Sequence, residues 1–269
     1  MESKMATVIL IPARLASTRL PEKMLLDKTK WPLIRHTYTQ AKKSKLAARV
    51  IVATDDKRIE EVVQAFGGEV IMTSPTHPTG SDRLAEVASR FLQDEDLIVN
   101  VQGDDPEITP AHIDLLIELY EASKPDMATL VAPFGTTTTS PVDPNRVKVV
   151  LGAPILGKTQ LSNTMSILGH HALYFSRSLI PYPRATQGNP TNFSDYFMHI
   201  GIYAYRASFL KKFVKLPQGR LESVESLEQL RILENGYKIV ASVVEYSSGG
   251  IDTLADYEQF VQRFHANNP

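Results

Sequence analysis

The chain has 269 residues, of which 43% are hydrophobic and 22% charged, and its formal net charge is −1. That length supports one large core, and the near-neutral charge provides no basic field to attract nucleic acid. The absence of cysteine excludes disulfides, thiolate metal sites and a cysteine nucleophile. No apolar run is long enough to span a bilayer, and the N-terminus has no signal-peptide pattern. We therefore expect a soluble cytoplasmic protein that neither inserts into a membrane nor binds nucleic acid.

The first half of the chain alternates buried strands with amphipathic helices. Apolar runs predict strands over residues 6–11, 50–53, 70–72, 97–100 and 127–132. Helices are predicted at 32–45, around the stripe from Ile59 to Phe66, from about Ser81, and after the N-cap Thr109. This alternation indicates an α/β fold, a Rossmann-like, mostly parallel sheet flanked by helices.

Between residues 133 and 198 the alternation fails. Arg146–Leu151 and Ala172–Ser176 have strand character, and Gly152–Gly169 has the composition of a loop. We interpret 133–198 as an inserted β-rich arm within a single domain covering 1–269. Such arms often make dimer contacts.

The last third returns to regular elements. The segment 199–205 alternates with period two, so that His199, Gly201 and Tyr203 share one face of a strand. A helix is predicted from Leu221 to Glu234, then a strand over 239–244. A final helix is capped by Asp252-Thr253.

Two carboxylates follow the apolar run 97–100, in the sequence Gln102-Gly103-Asp104-Asp105-Pro106. In open α/β sheets, ligands bind just outside the carboxyl ends of the strands. Carboxylates at such an end offer the hard oxygen ligands that Mg²⁺ takes together with substrate phosphates. The alternative is a solvated turn.

The loop after the first strand, residues 12–23, is the second candidate and is called the signature loop below. It contains neither the dinucleotide-binding nor the P-loop glycine pattern. It carries instead Arg14, Arg19 and Lys23, side chains suited to gripping phosphate oxygens. The alternative is a solvated basic loop.

The motifs of the chain, taken together, resemble the 3-deoxy-manno-octulosonate (Kdo) cytidylyltransferases, a group of sugar nucleotidyltransferases. The resemblance covers nearly the whole chain. Its motifs are Ile11-Pro12-Ala13-Arg14, Ser17-Thr18-Arg19-Leu20-Pro21, Lys23, Ala53-Thr54-Asp55-Asp56, residues 80–86, Asn100-Val101-Gln102-Gly103-Asp104, residues 174–177 and 180–184, residues 199–203 and residues 225–231.

This resemblance implies a nucleotide-diphospho-sugar transferase fold and the Mg²⁺-dependent reaction CTP + Kdo → CMP-Kdo + diphosphate, used in lipopolysaccharide synthesis. It also implies a cytoplasmic homodimer. By the family pattern, Arg14, Lys23 and Asp104 are catalytic, and Asp104 and Asp252 bind the metal. The implied nucleotide-binding residues are Pro12, Ala13, Arg14, Arg19, Lys23, Thr54, Asp55, Gly80, Ser81, Arg83 and Gln102. The implied sugar-binding residues are Gln102, His199, Tyr203, Glu222, Glu225 and Gln229.

Several of these assignments have plain structural alternatives. His199 and Tyr203 could be a half-buried pair, and the i, i+3, i+7 spacing of Glu222, Glu225 and Gln229 also fits a solvated helix face. Asp252 could be only a helix cap. Arg177 could pair with the substrate carboxylate or with a neighbouring acid.

The chain departs from the family pattern at three places. Asp105 stands where Glu is usual, Glu22 stands where Gly is usual, and the 152–169 loop looks longer. Other functions also stay open: a cytidylyltransferase for sialic acid or an 8-amino Kdo analogue, a nucleotide-sugar glycosyltransferase, or a silent nucleotide-binding module. The glycosyltransferase needs an Asp-x-Asp motif, and the adjacent pair Asp104-Asp105 lacks that spacing.

Overall fold

A computed structural model describes residues 5–17, 19–136, 139–158, 165–245 and 249–267. Thr18 of the signature loop and the middle of the predicted 152–169 loop, residues 159–164, lie outside the described residues. The chain forms two compact units. The first comprises the described parts of Met1–Asp114, Arg206–Val214 and Ser248–Pro269, and the second those of Leu115–Tyr205 and Lys215–Ser247. The prediction of one domain over 1–269, with an arm at 133–198, stays a prediction.

The first unit contains a parallel sheet. Its strands are β1 (Thr7–Ala13), β2 (Arg49–Thr54), β3 (Glu69–Met72) and β4 (Leu97–Asn100). They lie in the order β3-β2-β1-β4, and every pairing is parallel. β4 is buried on both faces, which matches its unbroken apolar sequence. The carboxyl ends of these strands therefore meet at one edge of the sheet.

Helices flank these strands. They are α1 (Leu33–Ala41), α2 (Lys57–Ala65), α3 (Gly80–Phe91), α5 (Ala207–Phe213) and α8 (Leu254–Asn267); α4 (Pro110–Ser123) runs from the first unit into the second. Side chains cap two of these helices: the Asp56 carboxylate accepts from the Arg58 N–H, and the hydroxyl of Thr253, one of the two predicted cap residues of α8, accepts from the Asp256 N–H. The Asp256 carboxylate accepts in return from the N–H of Thr253, which completes a capping box.

The second unit is β-rich and mixed. It contains β5 (Met127–Pro133), β6 (Lys148–Gly157), β7 (Ser166–Ser176), β8 (Phe197–Arg206), α6 (Arg220–Glu225), α7 (Gln229–Glu234) and β9 (Ile239–Val243). The last residue of β8, Arg206, is assigned to the first unit. The strand order is β8-β5-β9-β7-β6, and β6 pairs with β8 as well. Only β5 and β9 run parallel among the pairings of this unit's described residues.

Two predictions of local structure are wrong. The loop predicted over 152–169 is largely an antiparallel hairpin, because β6 continues to Gly157 and β7 begins at Ser166. The single helix predicted over 221–234 is two short helices, because Ser226 adopts a left-handed conformation with φ 53° and ends α6. Glu222 and Glu225 therefore lie on a different helix from Gln229.

Tyr257 and Phe260 of α8 are buried, and Val261 and Phe264 pack against the same cluster. Leu84 and Val87 of α3 are buried, whereas Phe91 at its end is 47% exposed and lies beside the Arg90 guanidinium. The predicted fold class, an α/β protein with a mostly parallel sheet flanked by helices, is confirmed. Among the described residues, no helix combines the length and apolarity needed to cross a membrane.

Candidate active site

The first part of the site depends on a close approach between the ends of β1 and β4. A Cβ atom at Gly103 would lie 2.9 Å from the Pro12 carbonyl oxygen, so no side chain fits there. The Thr37 hydroxyl donates to the Gly103 carbonyl at 2.9 Å and holds the turn in place. Asp104, the next residue, is thereby fixed beside the beginning of the signature loop.

Lys23 connects that carboxylate to the C-terminal segment. Its ammonium contacts Asp104 Oδ2, donates to the Ile251 carbonyl at 3.0 Å, and lies 3.6 Å from Asp252 Oδ1. Arg19 forms an ion pair with the same Asp252 oxygen at 2.8 Å. The Ile251 N–H donates to the Asp104 carbonyl at 2.8 Å. Residues far apart in sequence thus form one cluster of two cations and two carboxylates.

An apolar cluster holds these segments together. Leu20 of the signature loop and Ile251 are both buried against Leu33, Tyr257 and Phe260. Since Leu20 follows Arg19 and Ile251 precedes Asp252, packing of the apolar pair fixes the polar pair. The sequence pattern gave Asp252 as a cap or a metal ligand; in the structure, Thr253 is the residue whose side chain caps α8, and Asp252 pairs with Arg19.

The donor set suits a divalent cation with oxygen ligands. Asp104 Oδ2, Asp252 Oδ1 and the Ile251 carbonyl oxygen all lie within 3.6 Å of the Lys23 nitrogen, so three oxygens converge on one positive charge. Mg²⁺ binds carboxylates together with substrate phosphates and water rather than a full protein cage. Among the described residues, no group of three or more His, Asp or Glu side chains is arranged to hold a metal ion.

Glu22 has an unusual conformation within the signature loop. Its φ is 53° and its ψ is 27°, the left-handed region that favours glycine. Its carboxylate accepts from Arg58 Nη1 at 2.7 Å, and the Nε of Arg58 lies 3.2 Å from Asp56. Glu22 therefore adopts a positive φ although it is not a glycine, and its side chain forms an ion pair with Arg58 of α2.

Three further residues of the predicted nucleotide set meet at the ends of β2 and β3. The guanidinium of Arg83, only 4% exposed, donates to Asp55 Oδ2 at 2.7 Å and to the Thr73 hydroxyl. The Thr73 hydroxyl and N–H both donate to the Thr54 carbonyl, at 3.0 Å and 2.8 Å. Thr73 is a functional candidate that the sequence pattern did not indicate.

The other predicted nucleotide residues are more loosely placed. Arg14 is exposed, and it forms no ion pair with any of the described residues. Gly80 begins α3 and lies against Pro12, since a Cβ there would be 3.5 Å from the proline ring. Ala13 is buried at the end of β1, Ser81 is half-buried, and Gln102 donates weakly to Asn100 at 3.4 Å.

In the second unit, His199 and Tyr203 lie on one face of β8, as predicted. Their rings are 5.4 Å apart, and Phe175 contacts the His199 ring edge-on at 5.1 Å. Thr129 donates to the Ile202 carbonyl at 2.8 Å and lies 3.1 Å from His199 Nε2, at an irregularity in the β5–β8 register. Burial lowers the pKa of His199 to about 3 and raises that of Tyr203, so both side chains are neutral.

The predicted sugar carboxylates have internal partners. Glu222 is buried and forms a two-pronged ion pair with Arg231, with Arg231 Nε at 2.7 Å. Glu225 accepts from the Ser176 hydroxyl at 2.6 Å and from the Arg177 N–H at 2.9 Å. The Arg177 Nε donates to the Glu225 carbonyl at 2.7 Å, so this arginine is engaged with its neighbouring acid's helix.

Gln229 differs from these glutamates. It is 4% exposed, and its Nε2 atom is buried without a hydrogen-bond partner among the described residues. Buried polar atoms are nearly always hydrogen-bonded in native proteins, so such an atom calls for an explanation. A hydroxyl-bearing ligand would supply the missing acceptor.

Comparison with known proteins identifies the family of the chain. A family model described as cytidylyltransferase matches residues 8–239. The 3-deoxy-manno-octulosonate cytidylyltransferase of Chlorobaculum tepidum is 46% identical over 97% of this chain and all of its own length. That of Pelodictyon phaeoclathratiforme is 45% identical over 95% and 96% of the two chains. A solved CMP:2-keto-3-deoxy-manno-octonic acid synthetase complexed with CTP is 38% identical with a TM-score of 0.83, over 97% of this chain and 99% of that one. The chain therefore belongs to the cytidylyltransferase family.

Proposed function

We propose that this chain transfers the cytidylyl group of CTP to Kdo, releasing diphosphate and forming CMP-Kdo for lipopolysaccharide synthesis. The observation that carries the proposal is the cluster of Lys23 and Arg19 on Asp104 and Asp252, at the carboxyl edge of a parallel sheet. Relatives 45% and 46% identical over nearly the whole chain are named for this reaction.

The cations of the signature loop bind the triphosphate. Lys23 and Arg19 already lie where opposite charge collects, and Arg14 is exposed and open to a phosphate. Phosphoryl chemistry of this type depends on positioning and charge neutralisation more than on proton transfer by the protein. The anomeric hydroxyl of Kdo attacks the α-phosphorus, and diphosphate leaves.

Mg²⁺ is the proposed cofactor. Asp104 and Asp252 would hold it, with the Ile251 carbonyl close by. When bound, it supplies Lewis-acid neutralisation of the phosphate oxygens. Lys23 occupies the meeting point of these oxygens, so its ammonium would have to move toward the phosphates for the two carboxylates to hold the metal.

His199, Tyr203 and Gln229 are the proposed direct contacts to the sugar acid. His199 and Tyr203 are neutral over the physiological range and offer hydrogen bonds without a competing charge. Glu222 and Glu225 were expected to contact the sugar as well. We assign them instead to holding this region, since a sugar contact would require them to give up Arg231, Ser176 and the Arg177 N–H.

The quaternary structure and location are also proposals. We propose a cytoplasmic homodimer, for which the apolar side chains exposed on the β6–β7 hairpin, Leu156, Ile167 and Leu173, give support. Analytical ultracentrifugation tests the dimer; a monomer at micromolar concentration would contradict it.

Diphosphate release tests the central proposal. The protein is incubated with CTP and Mg²⁺ and with Kdo, an 8-amino Kdo analogue or sialic acid in turn. Release with Kdo well above the other two is expected. Preference for either analogue would assign a different sugar acid, and nucleotide binding with no release for any sugar would identify a silent binding module.

A further inference from the structure

A second carboxylate lies at the same sheet edge, on the opposite side of β1 from the first. Asp104 follows β4 and Asp55 follows β2, and β1 lies between these strands. Each carboxylate is gripped by one long cation, Asp104 by Lys23 and Asp55 by Arg83. The reaction proposed above uses the first pair, whereas the second pair is expected only to bind the nucleotide, with no part of the nucleotide assigned to it.

The Arg83 guanidinium is fixed rather than available. It is bonded to Asp55 at the end of β2 and to the Thr73 hydroxyl after β3, and Thr73 is itself bonded twice to the Thr54 carbonyl. With its side chain 4% exposed, Arg83 cannot swing outward to a phosphate without breaking both contacts. Its effect on a ligand is therefore transmitted through Asp55.

The Asp55 carboxylate is fixed in position, but only one of its two oxygens accepts a hydrogen bond from the described residues. Arg83 takes Oδ2, whereas Oδ1 forms no hydrogen bond with the described residues, and the side chain is 19% exposed. The result is a fixed, charged hydrogen-bond acceptor, open on one side. Such a group favours an approaching N–H donor and disfavours an approaching carbonyl oxygen.

The direction of the bound nucleotide follows from the strand order. The triphosphate is placed at Lys23 and Asp104, on the β4 side of β1. β2 lies two strand spacings away from β4, roughly 10 Å, a distance that a nucleoside triphosphate spans from its phosphates to its base. A base that extends from the triphosphate across β1 would therefore reach the β2 side, where Asp55 lies.

We propose that Asp55, positioned by Arg83 and Thr73, selects the base of the nucleotide by accepting a hydrogen bond from an exocyclic amino group. Cytosine presents an amino donor at the position where uracil presents a carbonyl acceptor. Asp55 is then a specificity-determining residue and Arg83 a positioning residue. This inference rests on the proposed use of CTP.

The test compares CTP with UTP in wild type, Asp55→Asn and Arg83→Met. Dissociation constants are measured by calorimetry, and kcat/KM by diphosphate release. Wild type should prefer CTP, and Asp55→Asn should reduce the CTP-to-UTP preference by at least about tenfold, the loss expected for one hydrogen bond to a charged acceptor. An Asn amide can donate to the uracil carbonyl, so UTP use should rise in absolute terms.

Arg83→Met should shift the same ratio in the same direction, and Arg83→Lys should restore part of it. The double variant should be no worse than Asp55→Asn alone, because both changes act on one contact. If Arg83→Met does not fold, Thr73→Val removes the other anchor of the guanidinium and should give the same shift at smaller size. The control is Arg49→Met, which breaks the Arg49–Glu69 ion pair between the amino ends of β2 and β3.

The outcomes separate the two proposals. Equal losses of CTP and UTP affinity in Asp55→Asn, or a wild type that does not distinguish the two nucleotides, would overturn the role of Asp55 in base selection. An unchanged ratio in Arg83→Met and Thr73→Val would overturn the positioning role. Failure of the proposed function would show differently, as wild type binding CTP selectively but releasing no diphosphate with any sugar acid.

Discussion

The two units of the molecule use carboxylates in opposite ways. In the first unit, Asp252 is 47% exposed and its partner Arg19 is 66% exposed, so a phosphate can replace Asp252 on the arginine and a cation can replace Arg19 on the carboxylate. In the second unit, Glu222 is 4% exposed and its partner Arg231 is 13% exposed, and both are fixed by the fold. Residue type alone therefore does not separate a ligand-binding acid from a structural one. The exposure of the carboxylate and of its cationic partner separates them.

The two regions also differ in electrostatics, because one is exposed and the other is buried. The nucleotide region contains both cations and carboxylates, which suits a polyanion that binds together with a metal ion. The β8 face is neutral, because burial lowers the pKa of His199 and raises that of Tyr203. A sugar acid with many hydroxyls is recognised by hydrogen bonds, and errors are rejected because unpaired polar groups are left buried.

The largest expected effect is on the exposed ion pairs of the first unit. Asp104→Asn should lower kcat by about a thousandfold, because the amide is a poor metal ligand, while the melting temperature stays close to wild type. Diphosphate release is measured against Mg²⁺ concentration. Asp94→Asn, which changes only a surface pair with Lys211, is the control. An unchanged rate at limiting Mg²⁺ would rule out a metal role for Asp104.

The next largest effect is on the buried Glu222–Arg231 ion pair of the second unit. Glu222→Ala should lower the free energy of unfolding by about 3 kcal/mol, because Arg231 is left charged, largely buried and unpaired. Urea denaturation measures this loss. Glu258→Ala, which removes an exposed pair with Lys28, should change stability by less than about 1 kcal/mol. Unchanged stability with a raised KM for the sugar would return Glu222 to the sugar contacts.

Lys23→Met distinguishes partner exchange from simple loss of a charge. Without the ammonium, CTP binding should weaken by about tenfold to a hundredfold. Divalent metal binding in the absence of nucleotide should become tighter, since Asp104 loses its resident cation. Mn²⁺ titration of the nucleotide-free protein checks the second effect. Weaker Mn²⁺ binding would show that Lys23 does not compete with metal for this carboxylate.

The smallest effect concerns one histidine in each unit. Burial lowers the pKa of His36 to about 4 and that of His199 to about 3, both below the unfolded value of 6.5. The unfolded chain then binds more protons, so stability is full above pH 6.5 and falls as pH drops toward these values. Each histidine should remove about 1–2 kcal/mol by pH 5.

Urea denaturation at pH 7.5 and pH 5 measures this loss. His36→Phe keeps the ring packing against Phe260 and Phe264 and should reduce the difference between the two pH values. His265→Gln, an exposed change in α8, is the control. An equal pH dependence in wild type and His36→Phe would contradict the assignment.

Much of the first unit could be predicted from sequence because its signals are local. β1 and β4 read as unbroken apolar runs, and Thr109-Pro110 marks the start of α4. Parallel strands bring their carboxyl ends to one edge, so the grouping of Lys23 with Asp104 followed from topology. The contribution of the Ile251 carbonyl was not foreseeable, since a backbone oxygen has no sequence signal.

The second unit was harder to predict because its contacts are long-range. The outer part of the β6–β7 hairpin is exposed, so Leu156 and Ile167 carry no burial pattern from which a strand could be recognised. The break at Ser226 has no glycine or proline to mark it. Glu225 reaches Ser176 and Arg177 across 49 and 48 residues, so its occupied state depends on the folded chain.

The left-handed Glu22 has a consequence for preorganisation. A glycine at this position would leave the unfolded and unliganded loop with many backbone states, whereas a residue with a side chain has far fewer. Holding Glu22 at φ 53° is unfavourable by about 1–2 kcal/mol, and the contact with Arg58 offsets part of it. This unfavourable conformational free energy is part of folding and not of nucleotide binding. The backbone of Lys23, the next residue, is therefore already fixed, and only its side chain has to rearrange when the nucleotide binds.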